Sequence, residues 1–167
     1  MKNMISRRSF LAAAGVVTAA GVLTACGGSS STAASAAGST AASGDTIKVG
    51  VLGPLTGDVS VYGQAVVNGA TLYLKQVNEK GGVNGKQLEI ITMDEQGDAT
   101  QAVTCFTKMC DQGITALVGD VTTTPTLAVV AESQDYNMPM VTASATAEAV
   151  TYDAETDTVY ENVFRAT

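Results

Sequence analysis

The sequence predicts an α/β fold, a doubly wound parallel sheet formed by residues 45–167. Three observations indicate this class. Segments rich in β-branched and aliphatic residues alternate with segments of helical periodicity, which is the pattern of right-handed βαβ units. Glycine pairs such as Gly81-Gly82 separate the segments as turn signals. Residues 114–118 are predominantly apolar and do not alternate regularly with polar residues, as expected of a strand that is buried on both faces.

The first strand, helix and second strand are predicted at residues 46–52, 62–80 and 86–93. The first strand ends at Gly53-Pro54, where proline and glycine favour a turn. The apolar positions of the helix recur at helical spacing and predict its buried stripe. That stripe consists of Val66, Ala70, Tyr73 and Val77.

The second helix has a strong start signal, because Asp98 and Gln101 have the spacing of a capping box. Gly113 is expected to end it. In the next helix, Thr124-Pro125 predicts an N-cap followed by proline at the first helical position. The side chains predicted to share the buried face of the second helix are Ala102, Phe106 and Met109. The later elements are expected near residues 114–118, 125–135, 138–142, 147–150 and 163–165.

The amino-terminal end has the composition of an export signal, which we assign to residues 1–25. A basic pair, Arg7-Arg8, precedes a short apolar run, and the run is shorter than the ~20 residues of a membrane span. The pair resembles a twin-arginine signal. Leu23-Thr24-Ala25-Cys26 resembles the bacterial lipobox, which implies that Cys26 carries a diacylglyceryl group; the alternative is an ordinary thiol.

Residues 27–44 are all Gly, Ser, Thr or Ala, so residues 26–44 are predicted to be a lipidated cysteine and a flexible tether. Such a segment has little apolar surface with which to offset its ordering entropy. Its expected reach is roughly 20–25 Å. The folded part would then lie close to a membrane surface, which more than one acyl chain would hold stably.

The composition excludes several functions. The net charge is −7, which argues against nucleic acid and anionic lipid as partners of the folded part. Histidine is absent, so His-based catalytic triads and His-containing zinc sites are excluded. We expect no catalytic residue, metal or cofactor. Cys105 and Cys110 would point ~140° apart on a helix and are interpreted as packing residues, while Asp94 and Glu95 are interpreted as solvated turn residues.

In a parallel sheet, ligands bind outside the carboxyl ends of the strands. The loops after the third and fourth strands place hydroxyl groups at helix starts, where unpaired N–H groups and the helix dipole favour anions. Thr123 and Thr146 could therefore hold a carboxylate. The alternative is that these hydroxyls only cap helices.

Several motifs resemble the branched-chain amino acid (Leu/Ile/Val) binding proteins of ABC transporters, and the resemblance extends over residues 47–167. It implies a type I periplasmic-binding fold, in which two α/β lobes close on a ligand. Residues 45–167 are expected to be the N-terminal lobe, truncated, with the second lobe missing. The motifs that carry the resemblance are Ile47-Lys48-Val49-Gly50-Val51-Leu52-Gly53-Pro54-Leu55-Thr56-Gly57, Tyr62-Gly63, Asn78-Glu79-Lys80-Gly81-Gly82-Val83-Asn84-Gly85-Lys86 and Gly113-Ile114-Thr115-Ala116-Leu117-Val118-Gly119.

The resemblance also implies roles for five residues. Thr123 falls where the family places a hydroxyl that binds the ligand α-carboxylate. Ser144 and Ala145 fall on a loop whose backbone contacts the ligand. Thr146 matches a threonine that meets both the carboxylate and the ammonium. Tyr62 matches an aromatic residue that lines the pocket.

The function implied is the extracytoplasmic substrate-binding component of an ABC importer, which captures an amino acid and delivers it to a permease; the expected ligand is a branched-chain amino acid. The protein would be a monomer anchored by Cys26 at the outer face of the bacterial cytoplasmic membrane. Residues 45–167 alone would bind weakly. The alternative is a lipid-anchored sensing or interaction lobe without a transport role. A hydrolase would need a Gly-x-Ser-x-Gly elbow and a base, and neither is present.

Overall fold

The computed structural model describes residues 46–167, so the predicted signal, Cys26 and the tether lie outside the described residues. Five parallel strands form one sheet, and two short strands form a hairpin. The elements are β1 (Ile47–Gly53), α1 (Ser60–Glu79), β2 (Leu88–Asp94), α2 (Ala99–Asp111), β3 (Ala116–Val118), α3 (Thr123–Tyr136), β4 (Met140–Thr142), a 3₁₀ helix (Glu148–Val150), β5 (Tyr152–Asp153), β6 (Thr158–Val159) and β7 (Val163–Arg165).

The strand order is β2-β1-β3-β4-β7, and every neighbouring pair in this sheet is parallel. The chain first moves from β1 to β2 and then returns past β1 to β3. Right-handed crossovers therefore place α1 on one face of the sheet and α2 and α3 on the other. This is the predicted doubly wound arrangement, and its switch point lies between the carboxyl ends of β1 and β3.

The main hydrophobic core lies between the sheet and the α2–α3 layer. The predicted buried face of α2 is confirmed, since its three apolar side chains are fully buried. The ring of Phe106 also meets that of Tyr136 on α3 edge to face, with centroids 5.6 Å apart. The large side chains that are fully buried in this core include Leu52, Phe106, Met109, Leu117, Val129, Val130 and Met140.

The predicted stripe of α1 is wrong at Tyr73, whose side chain is 66% exposed. The buried residues of this helix are Gly63 and Val67. The rotation of the helix is set by Gly63, because a Cβ atom there would lie 1.9 Å from the carbonyl oxygen of Pro54. Backbone contact thus decides which face of α1 turns inward.

The start of α2 is as predicted, since the side chain of Asp98 accepts a hydrogen bond of 2.8 Å from the backbone N–H of Gln101. The predicted start of α3 is wrong by two residues: Thr122 is the N-cap and Thr123 the first helical residue. The carbonyl of Thr122 accepts hydrogen bonds from the N–H and the hydroxyl of Thr126. Pro125 fits the first turn because an N–H there would have no helical partner.

The remaining elements differ slightly from the expectations. Strands β3 and β4 have three residues each, and the predicted last helix is a single 3₁₀ turn. The β5–β6 hairpin was not predicted; Asp153 stabilises its turn by accepting from the N–H of Glu155 and the hydroxyl of Thr156. Cys105 and Cys110 are free thiols. Among residues 46–167, no helix combines the length and apolarity needed to cross a membrane.

Candidate ligand-binding site

A cavity of about 270 Å³ lies at the carboxyl ends of the strands. It is at the switch point of the sheet, where ligands of doubly wound proteins bind. Three of the five predicted site residues, Tyr62, Thr123 and Ser144, are brought together here. The residues that line the cavity are Tyr62, Val121, Thr122, Thr123 and Ser144.

One wall is formed by the first turn of α1, which carries Tyr62. The next residue, Gly63, lets the helix start lie directly on Pro54. Gly53 has a similar role at the end of β1, since a Cβ atom there would be 2.8 Å from a methyl carbon of Val121. Gly63 therefore lets α1 pack closely on the loop after β1, and Gly53 lets Val121 approach the end of β1.

The loop before α1 is held by Asp94, the last residue of β2. Its carboxylate accepts from the N–H of Leu55 at 2.8 Å and from the hydroxyl of Thr56 at 2.6 Å. It also accepts from the N–H groups of Thr56 and Gln96. Burial raises the pKa of Asp94, but these hydrogen bonds outweigh it and hold the pKa below the usual value. The interpretation of Asp94 as a solvated turn residue is therefore wrong.

Glu95 was also interpreted as a solvated turn residue, and this is wrong as well. Its side chain is fully buried, as is that of Asp120 at the end of β3. The Gly119–Asp120 peptide bond that leads into the cavity loop is cis. The two carboxyl groups are thus buried directly after β2 and β3, at the same edge of the sheet as the cavity. Within the described residues, no group of three or more His, Cys, Asp or Glu side chains could hold a metal ion.

The second wall is the start of α3, which is tied to the loop after β4. The hydroxyl of Thr142 donates to the carbonyl of Asp120 at 2.6 Å, and that of Ser144 donates to the carbonyl of Val121 at 2.6 Å. In the first turn of α3, the amides of Thr123 and Thr124 lie at positions without a helical acceptor. The positive end of the helix dipole adds to their attraction for an anion.

The hydroxyl of Ser144 is fixed as a hydrogen-bond donor to the protein and remains free only as an acceptor. A hydroxyl carries one hydrogen, and Ser144 gives it to the carbonyl of Val121. Its oxygen can still accept a hydrogen bond from a group in the cavity. The wall therefore offers donors at Thr123 and an acceptor at Ser144, which is the complement of a carboxylate beside an ammonium group.

The structure does not bring Ala145 and Thr146 into the lining of the cavity. The N–H of Ala145 donates to the hydroxyl of Thr142 at 3.2 Å, and its carbonyl accepts from the hydroxyl of Thr167. Thr146 is exposed, and its carbonyl accepts a hydrogen bond of 2.6 Å from the guanidinium of Arg165. Their roles as ligand contacts remain predictions.

Val121 and Thr122 line the cavity, but sequence reasoning did not select them. Both stand in the loop after β3, directly before Thr123. Their position directly after a buried strand could have identified them as site residues, because the loops at a switch point form the ligand site. Only the anion-binding chemistry of Thr123 was considered, so the apolar contribution of Val121 was missed.

The fold and the cavity define a ligand-binding lobe of the doubly wound α/β class. Residues 46–167 match the family described as Periplasmic binding protein. The chain therefore belongs to the periplasmic binding protein family, as its motifs indicated. Residues 4–24 match the signal sequence of the twin-arginine translocation pathway, which confirms the predicted export signal. The signal and the family together indicate an extracytoplasmic location.

Relatives are found among curated proteins. The chain is 39% identical over 106 residues to the leucine-, isoleucine-, valine-, threonine-, and alanine-binding protein of Pseudomonas aeruginosa. It is 33% identical over 105 residues to the Leu/Ile/Val-binding protein of Escherichia coli. These matches cover 64% and 63% of this chain, but only 28% and 29% of the relatives. The matched part of the chain thus spans less than a third of their length.

Solved structures confirm the fold class. LivJ from Streptococcus pneumoniae, a branched-chain amino acid transporter substrate-binding protein in complex with isoleucine, is similar with a TM-score of 0.67 and 30% identity. The match covers 74% of this chain and 34% of LivJ. The leucine-binding protein LivK from Thermotoga maritima gives a TM-score of 0.62 at 26% identity, covering 72% and 32% of the two chains.

Proposed function

We propose that this protein is the extracytoplasmic substrate-binding component of an ABC importer, which captures a branched-chain amino acid and delivers it to permease subunits. The observation that carries the proposal is the cavity between Tyr62 and the start of α3, with donors and an acceptor side by side. The names of the curated relatives support the ligand class, and so does the isoleucine bound to LivJ.

The cavity suggests how the ligand binds. The α-carboxylate accepts from the hydroxyl of Thr123 and from the amides at the start of α3, where no charged partner is needed. The ammonium group donates to the hydroxyl oxygen of Ser144. Val121 and the ring of Tyr62 face the aliphatic side chain, which they shield from water. Ala145 and Thr146, on the loop after Ser144, are included in the proposed site.

The same chemistry argues for binding without catalysis. The lining consists of hydroxyl, phenol and aliphatic groups, and the chain contains no histidine that could act as a base. A site of this kind recognises a ligand through hydrogen bonds and apolar contact. We therefore assign the protein no enzymatic activity, no cofactor and no metal.

We also propose that Cys26 is lipidated and that the protein is held at the outer face of the bacterial cytoplasmic membrane as a monomer. The support is the sequence Leu23-Thr24-Ala25-Cys26 directly after the signal, followed by the small-residue segment at residues 27–44. Mass spectrometry of the membrane-extracted protein tests this. A mature chain that begins before Cys26, or that carries no lipid mass on it, would contradict the anchor.

The binding test is a calorimetric titration of the full-length protein with leucine, isoleucine and valine. Thr123→Val removes the proposed donor with little change in shape. We expect it to weaken binding by about 1–3 kcal/mol, the usual effect of losing a hydrogen bond to a charged group. The matched control is Thr92→Val, because Thr92 is exposed on β2.

Two results would count against the proposal. If the unmodified protein binds none of the three amino acids, the ligand class is wrong. If the amino acids bind but Thr123→Val and Thr92→Val leave the dissociation constant equally unchanged, the ligand lies elsewhere.

A further inference from the structure

Two buried carboxyl groups lie at the same edge of the sheet as the cavity and have no role in the proposed binding. Glu95 follows β2 and Asp120 follows β3, and both side chains are 0% exposed. The strand between them is β1, which ends at Gly53. The two carboxyls nevertheless interact with each other across the end of this strand.

Three oxygen atoms of this pair lack a donor. One oxygen of Asp120, Oδ1, accepts from the N–H of Val121. Both carboxylate oxygens of Glu95 and Oδ2 of Asp120 have no hydrogen-bond partner among the described residues. Two ionised carboxylates can only accept hydrogen bonds. A buried charge without a donor is strongly unfavourable, so the fully ionised pair is a poor description of the folded protein.

A single proton bound to the pair would remove most of this unfavourable energy. If one carboxyl is protonated, its O–H can donate to the other in a charge-assisted hydrogen bond. One proton thereby gives partners to two of the three oxygens and removes one buried charge. The arrangement is that of two carboxyl groups which cannot both ionise because they are too close.

The surroundings favour the protonated pair. Within residues 46–167, the other titratable group that acts on the pair is Asp94 on β2, which is an anion, and the pair itself raises the pKa of the Cys105 thiol on α2. Lys108, also on α2, acts on Cys105. The backbone N–H groups of Gly97 and Asp98 lie near the Glu95 carboxylate without the geometry of hydrogen bonds and favour its ionised form, but burial outweighs them and raises its pKa. Burial and the neighbouring Glu95 raise the pKa of Asp120 to about 7.

We propose that Glu95 and Asp120 form a buried proton-binding site, which holds one shared proton behind the wall of the ligand cavity. The site is independent of the identity of the ligand. Asp120 directly precedes Val121, Thr122 and Thr123, so loss of the proton adds a negative charge next to the start of α3. The loops of the cavity are therefore joined by a bond that exists only while the proton is bound.

The proposal fixes the sign of a pH effect. In the unfolded chain both carboxyls ionise near pH 4, so folding at higher pH takes up a proton. The stabilisation from the shared proton is fully present below about pH 4. It is lost as the pH rises toward about 7, the raised pKa of Asp120. Within this window the unfolding equilibrium constant should rise up to about tenfold per pH unit.

Infrared spectroscopy of the full chain tests for the proton directly. A protonated carboxyl has a C=O stretch that is distinct from that of a carboxylate. We expect this band at about pH 6, where ordinary carboxyls are ionised, and we expect it to disappear as the pH is raised above about 8. The double variant Glu95→Gln with Asp120→Asn should lack the band. Glu79→Gln is the matched control, because Glu79 is exposed at the end of α1, and it should keep the band.

Urea unfolding between about pH 5 and pH 8 gives the second measurement. The midpoint of the unmodified chain and of Glu79→Gln should fall as the pH rises, while that of the double variant should fall much less. If the double variant does not fold, the single variant Glu95→Gln takes its place in both measurements. Its amide can donate a hydrogen bond to Asp120 at every pH, so its unfolding midpoint should also fall much less as the pH rises. Absence of the band at about pH 6, or parallel pH dependence in the unmodified chain and the folded variant, would overturn the proposal.

Discussion

Helices α1 and α2 lie on opposite faces of the sheet and are held there in different ways. The inward face of α2 is a set of fully buried apolar side chains. Helix α1 is longer, with 20 residues, but buries only Gly63 and Val67. Its position is set by backbone contact with Pro54 and by the hydrogen bonds of Asp94. One face thus stabilises the fold by packing, while the other carries Tyr62 to the cavity.

The largest effect is expected on the packed face. Phe106→Ala removes a fully buried ring that also contacts Tyr136, so we expect a loss of about 3–5 kcal/mol in the free energy of unfolding. Urea unfolding followed by circular dichroism measures it. The control on the other face is Leu72→Ala, since Leu72 is 58% exposed, and its effect should stay within about 0.5 kcal/mol. If both variants lost the same free energy of unfolding, the two faces of the sheet would not differ in how packing stabilises them.

The next effect is expected at the backbone contact of α1. Gly63→Ala would place a Cβ atom 1.9 Å from the carbonyl oxygen of Pro54, and the helix must shift to accommodate it. We expect a loss of about 1–3 kcal/mol in stability, as for other overpacked sites. Leucine affinity should fall as well, because Tyr62 moves with the helix. Unchanged stability and affinity would show that the contact does not position α1.

A smaller effect is expected at Asp94. Asp94→Asn keeps an acceptor for the backbone amides but loses the charge, so we expect a loss of about 1 kcal/mol at neutral pH. The lowered pKa of Asp94 also means that its stabilisation is present above the unfolded pKa, near 4, and is lost as the pH falls through the folded value. Unfolding curves from about pH 6 to pH 3 should therefore converge for the two proteins.

The control for Asp94 is Asp111→Asn, because Asp111 is exposed at the end of α2. Its stability curve should run parallel to that of the unmodified protein over the same pH range. If Asp94→Asn behaves like Asp111→Asn, the hydrogen bonds to the loop before α1 contribute nothing measurable.

The smallest effect should be a gain in stability. Gly69 lies on α1 six residues after Gly63, and a Cβ atom there would meet nothing within 4 Å. Gly69→Ala should stabilise the helix by about 0.5–1 kcal/mol, since glycine loses more conformational freedom than alanine on folding. Thermal unfolding measures the gain. A loss of stability instead would mean that a methyl group at residue 69 clashes with another part of the protein.

The packed face could be predicted from the sequence because its signals are local. The spacing of Ala102, Phe106 and Met109 and the cap at Asp98 depend only on neighbours along the chain. The rotation of α1 could not be predicted in this way, because it depends on contact with Pro54 across a loop. Tyr73 was counted as apolar, whereas its ring lies on the outer face.

The same distinction applies to the candidate site. Tyr62, Thr123 and Ser144 meet because the carboxyl ends of parallel strands converge, and strand ends can be located from the sequence. Thr146 does not reach the cavity lining, and its backbone instead bonds to Arg165 on β7. The burial of Glu95 was missed since it stands in a polar turn sequence, and only the tertiary fold reveals that it faces Asp120.

The hydrogen bond from Ser144 to the carbonyl of Val121 also bears on which ligands would be rejected. A 2-oxo acid analogue of leucine would place a carbonyl oxygen where the amino acid has its ammonium group. Two oxygen lone pairs would then face each other, unless the hydroxyl turned away and left the carbonyl of Val121 without its donor. The site should therefore distinguish an amino acid from its deaminated form although the two have the same carbon skeleton.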